Sequence, residues 1–124
     1  QNPVSPITEI HPIYARSIAY YRNSDLENSF KELDKLISAN PNDAFYNELK
    51  GQILFENGKL TEAVTYYKKA VEILPESSLL NADLGKTYLQ DKQLDLAIKY
   101  LTKASKIEPE NSSTWRLLAT AYGQ

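Results

Sequence analysis

The chain is 124 residues long with 42% hydrophobic and 24% charged side chains, the size and mix of one folded domain rather than of a disordered tail. Fourteen basic against sixteen acidic residues leave a formal charge of −2, without the basic excess that phosphate neutralisation demands, so no nucleic-acid partner is expected. Cysteine is absent, which removes disulfides and thiolate chemistry, and no apolar run approaches the length that crosses a bilayer, so no direct membrane insertion is expected.

Residues 1–9, with Pro3 and Pro6 and little periodicity, read as an extended lead-in. The start at Gln1 and the lack of any methionine point to a fragment of a longer product. Helical spacing then predicts seven helices, over 11–22, 25–39, 43–57, 60–73, 77–91, 94–107 and 111–122, and no strand. Ser24 followed by Glu27 has the form of a capping box opening the second helix. In the third, Phe45, Leu49, Ile53 and Leu54 form the apolar stripe, and Asn57-Gly58 supplies a left-handed stop. Leu60, Ala63, Val64, Tyr67, Ala70, Val71 and Leu74 follow at steps of three and four until Pro75, which disfavours helix in the residue before it. Leu80, Leu84 and Tyr88, the turn Asp91-Lys92-Gln93, then Leu94, Ala97, Ile98, Leu101, Ala104 and Ile107 repeat the scheme.

The scheme has a period of 34 residues: Pro41, Pro75 and Pro109; Leu26, Leu60 and Leu94; Ser17, Gly51, Gly85 and Ala119; Ser29, Ala63 and Ala97; and Tyr20, Leu54, Tyr88 and Tyr122 all keep it. The small columns have a mechanical reading. Two antiparallel helices approach closely where side chains are short, so Gly51 is expected to face Ala63 and Gly85 to face Ala97, with Leu54, Tyr67, Tyr88 and Leu101 filling the flanking holes. Each hairpin buries one side only and depends on its neighbours.

These columns resemble the tetratricopeptide repeat (TPR), a helix pair of 34 residues. The resemblance is carried by Gly51, Ala63, Tyr67, Ala70 and Pro75 in one unit, by Leu84, Gly85, Tyr88, Ala97, Leu101, Ala104 and Pro109 in the next, and by Trp115, Leu118, Ala119 and Tyr122 in the last. Leu54, Leu36 and Ser29 depart from the usual tyrosine and alanines. The resemblance implies an all-α solenoid, a right-handed superhelix of antiparallel pairs over 10–124, with units 10–43, 44–77, 78–111 and a partial 112–124. The words at 14–22, 47–52 and 115–123 also resemble the carboxyl-terminal repeat region of bacterial periplasmic zinc metallopeptidases related to the β-barrel assembly-enhancing protease. That narrower resemblance implies a periplasmic location and a part in outer-membrane protein quality control. A stand-alone adaptor, periplasmic or cytoplasmic, is the alternative.

No catalytic constellation is legible. His11, the single histidine, reads as a capping or surface residue, so any zinc of a parent peptidase would lie elsewhere. Asp25/Glu27, Asp91/Asp95 and Glu108/Glu110 sit at turns and helix starts, where the helix dipole favours negative charge. The glycines are scattered, so no phosphate loop exists, and neither catalytic, metal nor cofactor residues are expected. Lys68, Lys69, Lys99, Lys103 and Lys106 are interleaved with acids and read as a solvated outer face.

In TPR arrays the first helix of each unit lines a concave groove, where peptide or protein clients lie. The resemblance places Tyr14, Tyr21, Phe45, Gln52, Phe55, Lys86, Leu89, Gln90 and Arg116 near that groove, together with Glu56 and Asp83; packing between units is the alternative for Phe45, Phe55 and Leu89. The lysine and asparagines with which chaperone-tail binders hold a terminal carboxylate are replaced by Tyr14, Ile18, Leu49, Ala82 and Asp83, so that acidic tail is not an expected ligand. Trp115, Leu118 and Tyr122 are expected to point where a further helix would pack, a surface through which copies of the chain could associate.

Overall fold

A computed structural model describes residues 12–124. The lead-in and His11 lie outside the described residues. Within them the chain forms α1 (Pro12–Arg22), α2 (Leu26–Ala39), α3 (Ala44–Glu56), α4 (Leu60–Ile73), α5 (Ser78–Gln90), α6 (Leu94–Ile107) and α7 (Ser112–Tyr122), with no strand. The chain divides after Pro41 into two compact units.

The 34-residue period is written into the backbone. Ser24, Gly58 and Lys92 occupy the same place in successive hairpin turns, and all three adopt the left-handed conformation, with φ of 60°, 75° and 63°. Only Gly58 meets that demand without a Cβ penalty. The proposed capping box is therefore not formed: Ser24 is committed to the turn, and Asp25 caps α2 instead, its carboxylate accepting from Asn28 N at 3.2 Å. Asp43, Ser77 and Asn111 cap α3, α5 and α7 in the same phase, accepting from the backbone N–H groups of Phe45, Leu80 and Ser113.

In the first unit α1 packs on α2. Leu33 and Leu36 are buried, as are Ser17 and Ser29 at the positions where later repeats carry glycine and alanine. Ser29 Oγ donates to Ser17 O at 2.8 Å across the helix pair, so the two small residues hold the crossing by a hydrogen bond as well as by close approach. Ser29→Ala keeps the fit and removes the bond; denaturant unfolding is expected to show a loss of about 0.5–1.5 kcal/mol.

In the second unit α3 packs on α4, α4 on α5, α5 on α6 and α6 on α7, and α7 also reaches α5. The core runs through Ile53, Leu54, Ala63, Tyr67 and Ala70, then Leu80, Leu84, Tyr88, Ala97, Leu101 and Ala104. The glycine crossings differ from expectation. A Cβ on Gly51 would meet the Tyr67 ring at 3.0 Å and one on Gly85 would meet Leu101 Cγ at 2.6 Å, so each glycine is nearest the large residue that seals its hairpin rather than Ala63 or Ala97. On α7, Leu118 turns inward and is buried, while Trp115 and Tyr122 are 50% and 68% exposed. Trp115 Nε1 donates to Pro109 O at 2.7 Å, which fixes the indole over the preceding turn.

Candidate functional site

A polar concavity of the second unit opens between its first three helices. It encloses about 380 Å³. Glu48, Gln52, Phe55 and Glu56 reach it from α3, Leu79, Asp83 and Lys86 from α5, and Tyr67 rises from α4 at its back. Steps of three and four along α3 and α5 put these residues on one face of each helix. Phe55 and Lys86 join the two walls, with Lys86 Nζ 4.7 Å from the ring centroid, a cation–π contact. Gln52 Nε2 donates to Glu56 Oε2 at 3.3 Å.

The electrostatics are set by three carboxylates against one ammonium. Asp83 is pushed up to about 7, first by burial, then by the charge of Glu48 and a side-chain hydrogen bond with it, while Lys86 pulls the other way. Near neutral pH the Asp83 carboxyl is thus partly protonated. Tyr67 is 4% exposed, and burial followed by the negative charges of Asp83, Glu48 and Glu56 raises its phenol, so it keeps its proton at every physiological pH. Its hydroxyl makes no hydrogen bond with the described residues. Elsewhere in this unit Tyr88 is also raised, by burial and then by Tyr100, whose ring it stacks on at 5.8 Å. No group of three or more His, Cys, Asp or Glu able to hold a metal ion occurs among the described residues. No described helix is long and apolar enough to cross a membrane.

Of the residues assigned to a groove from sequence, Gln52, Phe55 and Lys86 line this opening, with Glu56 and Asp83. Gln90 and Arg116 are exposed but outside its lining. Phe45 is 48% exposed and sits 5.7 Å from the Tyr46 ring rather than in the apolar stripe of α3. Leu89 corrects the groove assignment: it is buried, 8% exposed, because α5 is packed on α4, α6 and α7 together. Tyr14 and Tyr21 are half-buried on α1 of the first unit, and Tyr14 borders a shallow opening there with Ile18 and Arg22. Sequence reasoning missed Glu48, Leu79 and Tyr67. Tyr67 looked like pure core, and it is 4% exposed, yet it also lines the opening. The signal for the other two was available, since Glu48 lies one helical turn before Gln52 and Leu79 one turn before Asp83.

Two tetratricopeptide repeat profiles match the sequence, one over residues 14–78 and the other over 54–121. The chain belongs to the tetratricopeptide repeat family. The same fold appears in solved structures. The first TPR of Spaghetti (RPAP3), bound to an HSP90 peptide, is similar at 15% identity and TM-score 0.80, covering 90% of this chain and 88% of that one. MamA from Desulfovibrio magneticus RS-1 is similar at 24% identity and TM-score 0.78, over 89% of this chain and 62% of that one. A structure of Naa15/Naa10 bound to HypK-THB matches at 28% identity and TM-score 0.64 over 88% of this chain but 16% of that one. No curated protein matches the sequence. The TPR unit is thus the frame on which the opening between α3, α4 and α5 is built.

Proposed function

We propose that this TPR chain is a protein-interaction scaffold that holds a peptide segment of a client between α3 and α5. The observation that carries the reading is the opening itself: a cleft between successive first helices, walled by Phe55 and Lys86 and carrying exposed polar groups at Gln52 and Glu56. An apolar wall with a few convergent polar groups is the usual build of a peptide site. A similar fold is seen with an HSP90 peptide bound, which supports peptide capture as the mode. Arg116, Gln90 and Phe45 in the second unit, and Tyr14 and Tyr21 in the first, are offered as further contacts. The exposed face of α7 around Trp115 and Tyr122 is offered as a site of self-association.

The test is direct. Peptides selected from a random twelve-residue display library on the intact chain should bind at least tenfold more weakly to Phe55→Ala/Lys86→Ala, with an unchanged far-UV spectrum. Lys69→Ala, on the exposed side of α4, should leave affinity untouched. Equal affinity of all three proteins would remove the cleft from the function.

The narrower reading, the repeat region of a periplasmic zinc metallopeptidase, rests on the words at 14–22, 47–52 and 115–123. The family and fold matches add nothing to it. An HExxH motif and a signal peptide in the upstream sequence would support it, and their absence there favours the stand-alone adaptor.

A further inference from the structure

The α3–α5 cleft holds an arrangement that packing alone does not require. Glu48 and Asp83 come from helices in different repeats, yet they meet closely enough to share a hydrogen bond in a half-buried place. Like charges so placed oppose each other, and Lys86, the ammonium of the cleft, offsets Asp83 only in part while its Nζ lies over the Phe55 ring. Behind them stands Tyr67, 4% exposed, whose phenol lines the same opening, feels the charges of Asp83, Glu48 and Glu56, and makes no hydrogen bond to a described residue. Two acceptors and an unused hydroxyl converging on one opening match a ligand rich in donors.

We propose that this cleft is a cation pocket that takes an arginine side chain of the client peptide, the guanidinium bridging Glu48 and Asp83 and donating to Tyr67 Oη. The inference rests on the cleft being the client site. Guanidinium is the fitting cation because its planar fork can span two carboxylates at once and is only weakly hydrated, so it tolerates a half-buried place. On entry it takes the place of the Asp83 proton, which leaves to solvent. Phe55 lies beside the entrance to cover the methylene stem. The preference is the reverse of that for an acidic chaperone tail, in keeping with Asp83 standing where a clamp would need a neutral amide or a base.

The release of a proton gives the site a pH signature. Asp83 shares the cleft with Glu48 and Glu56 of α3, Tyr67 of α4 and Lys86 of its own helix, and with its carboxyl raised to about 7 it is mostly protonated at pH 6 and mostly ionised at pH 8. Affinity for the cation should therefore rise about tenfold between these values.

The experiment uses the intact chain and three labelled nine-residue peptides with one central arginine, glutamine or glutamate between leucines, read by fluorescence anisotropy and by backbone amide shifts. The arginine peptide should bind at least tenfold more tightly than the glutamine peptide at pH 8, with shifts centred on Glu48, Gln52 and Asp83. Asp83→Asn should abolish that preference, and Tyr67→Phe, which keeps the ring in place over Gly51, should reduce it several-fold. Arginine and glutamine peptides that bind alike, with the same cleft residues shifted, would overturn the cation pocket and leave the peptide groove standing. Binding of every peptide away from α3 and α5, or of none, would overturn both.

Discussion

Gly85→Ala is expected to lower the thermal midpoint by about 5–10 °C, while Gly51→Ala stays within about 3 °C of wild type. Both glycines are buried in the first helix of a repeat, and both would gain about 1 kcal/mol of intrinsic helix propensity as alanine. The difference lies in what the new methyl meets. At Gly85 it falls 2.6 Å from Leu101 Cγ, 3.0 Å from Cδ2 and 3.1 Å from the Leu101 backbone nitrogen. Cγ is anchored close to the backbone and Leu101 is fully buried, so relief requires α6 to move as a body. Overpacking of that kind costs about 1–3 kcal/mol, and more where backbone must shift. At Gly51 the nearest atoms belong to the Tyr67 ring, at 3.0 to 3.1 Å, and a ring can tilt by a few tenths of an ångström. Circular-dichroism melts of the two variants separate these cases; equal midpoints would mean that Leu101 yields as easily as Tyr67.

The same pair of glycines marks how far sequence reasoning reaches. All seven helices were legible, with bounds within one residue of those observed, because apolar residues at steps of three and four and punctuating residues such as Asn57-Gly58 and Pro75 recur on a 34-residue period. Periodicity also identified the small column at the crossings. It could not say which residue each glycine touches, since Ala63 and Tyr67 lie one turn apart on α4 and only the helix offset chooses between them. The candidate site was harder for the same reason. The TPR resemblance brought out Gln52, Phe55 and Glu56, and Asp83 with Lys86, but the contact of Glu48 with Asp83 joins two repeats at positions that are not equivalent. Leu89 shows the converse: it occupies the position of Phe55 one repeat on, yet it is buried because α5 has neighbours on more sides.

The second large effect is a gain. Asp83→Asn should stabilise the chain by about 1–3 kcal/mol at pH 8 and by almost nothing at pH 4. In the unfolded chain Asp83 titrates near its ordinary 3.8, whereas burial and Glu48 raise it to about 7 in the folded state. Between these values the folded chain holds a proton that the unfolded chain releases. The contribution of this group is therefore fully present below about pH 4 and drains away as pH rises through 7, where a buried carboxylate must ionise beside another. Asparagine keeps the shape, can still donate to Glu48, and never takes the second charge. Urea titrations at pH 4, 6 and 8 should show the two proteins converging at the acid end and diverging with a slope that flattens above pH 7; parallel curves would mean that Asp83 is not held in its neutral form. The substitution expected to abolish the arginine preference is thus also one expected to strengthen the fold. A residue that weakens its own repeat at neutral pH is readily understood where it serves a ligand, because strain at a binding site is relieved when the missing counter-charge arrives. By that argument, saturating arginine peptide should recover at pH 8 much of the stability that Asp83→Asn supplies without it.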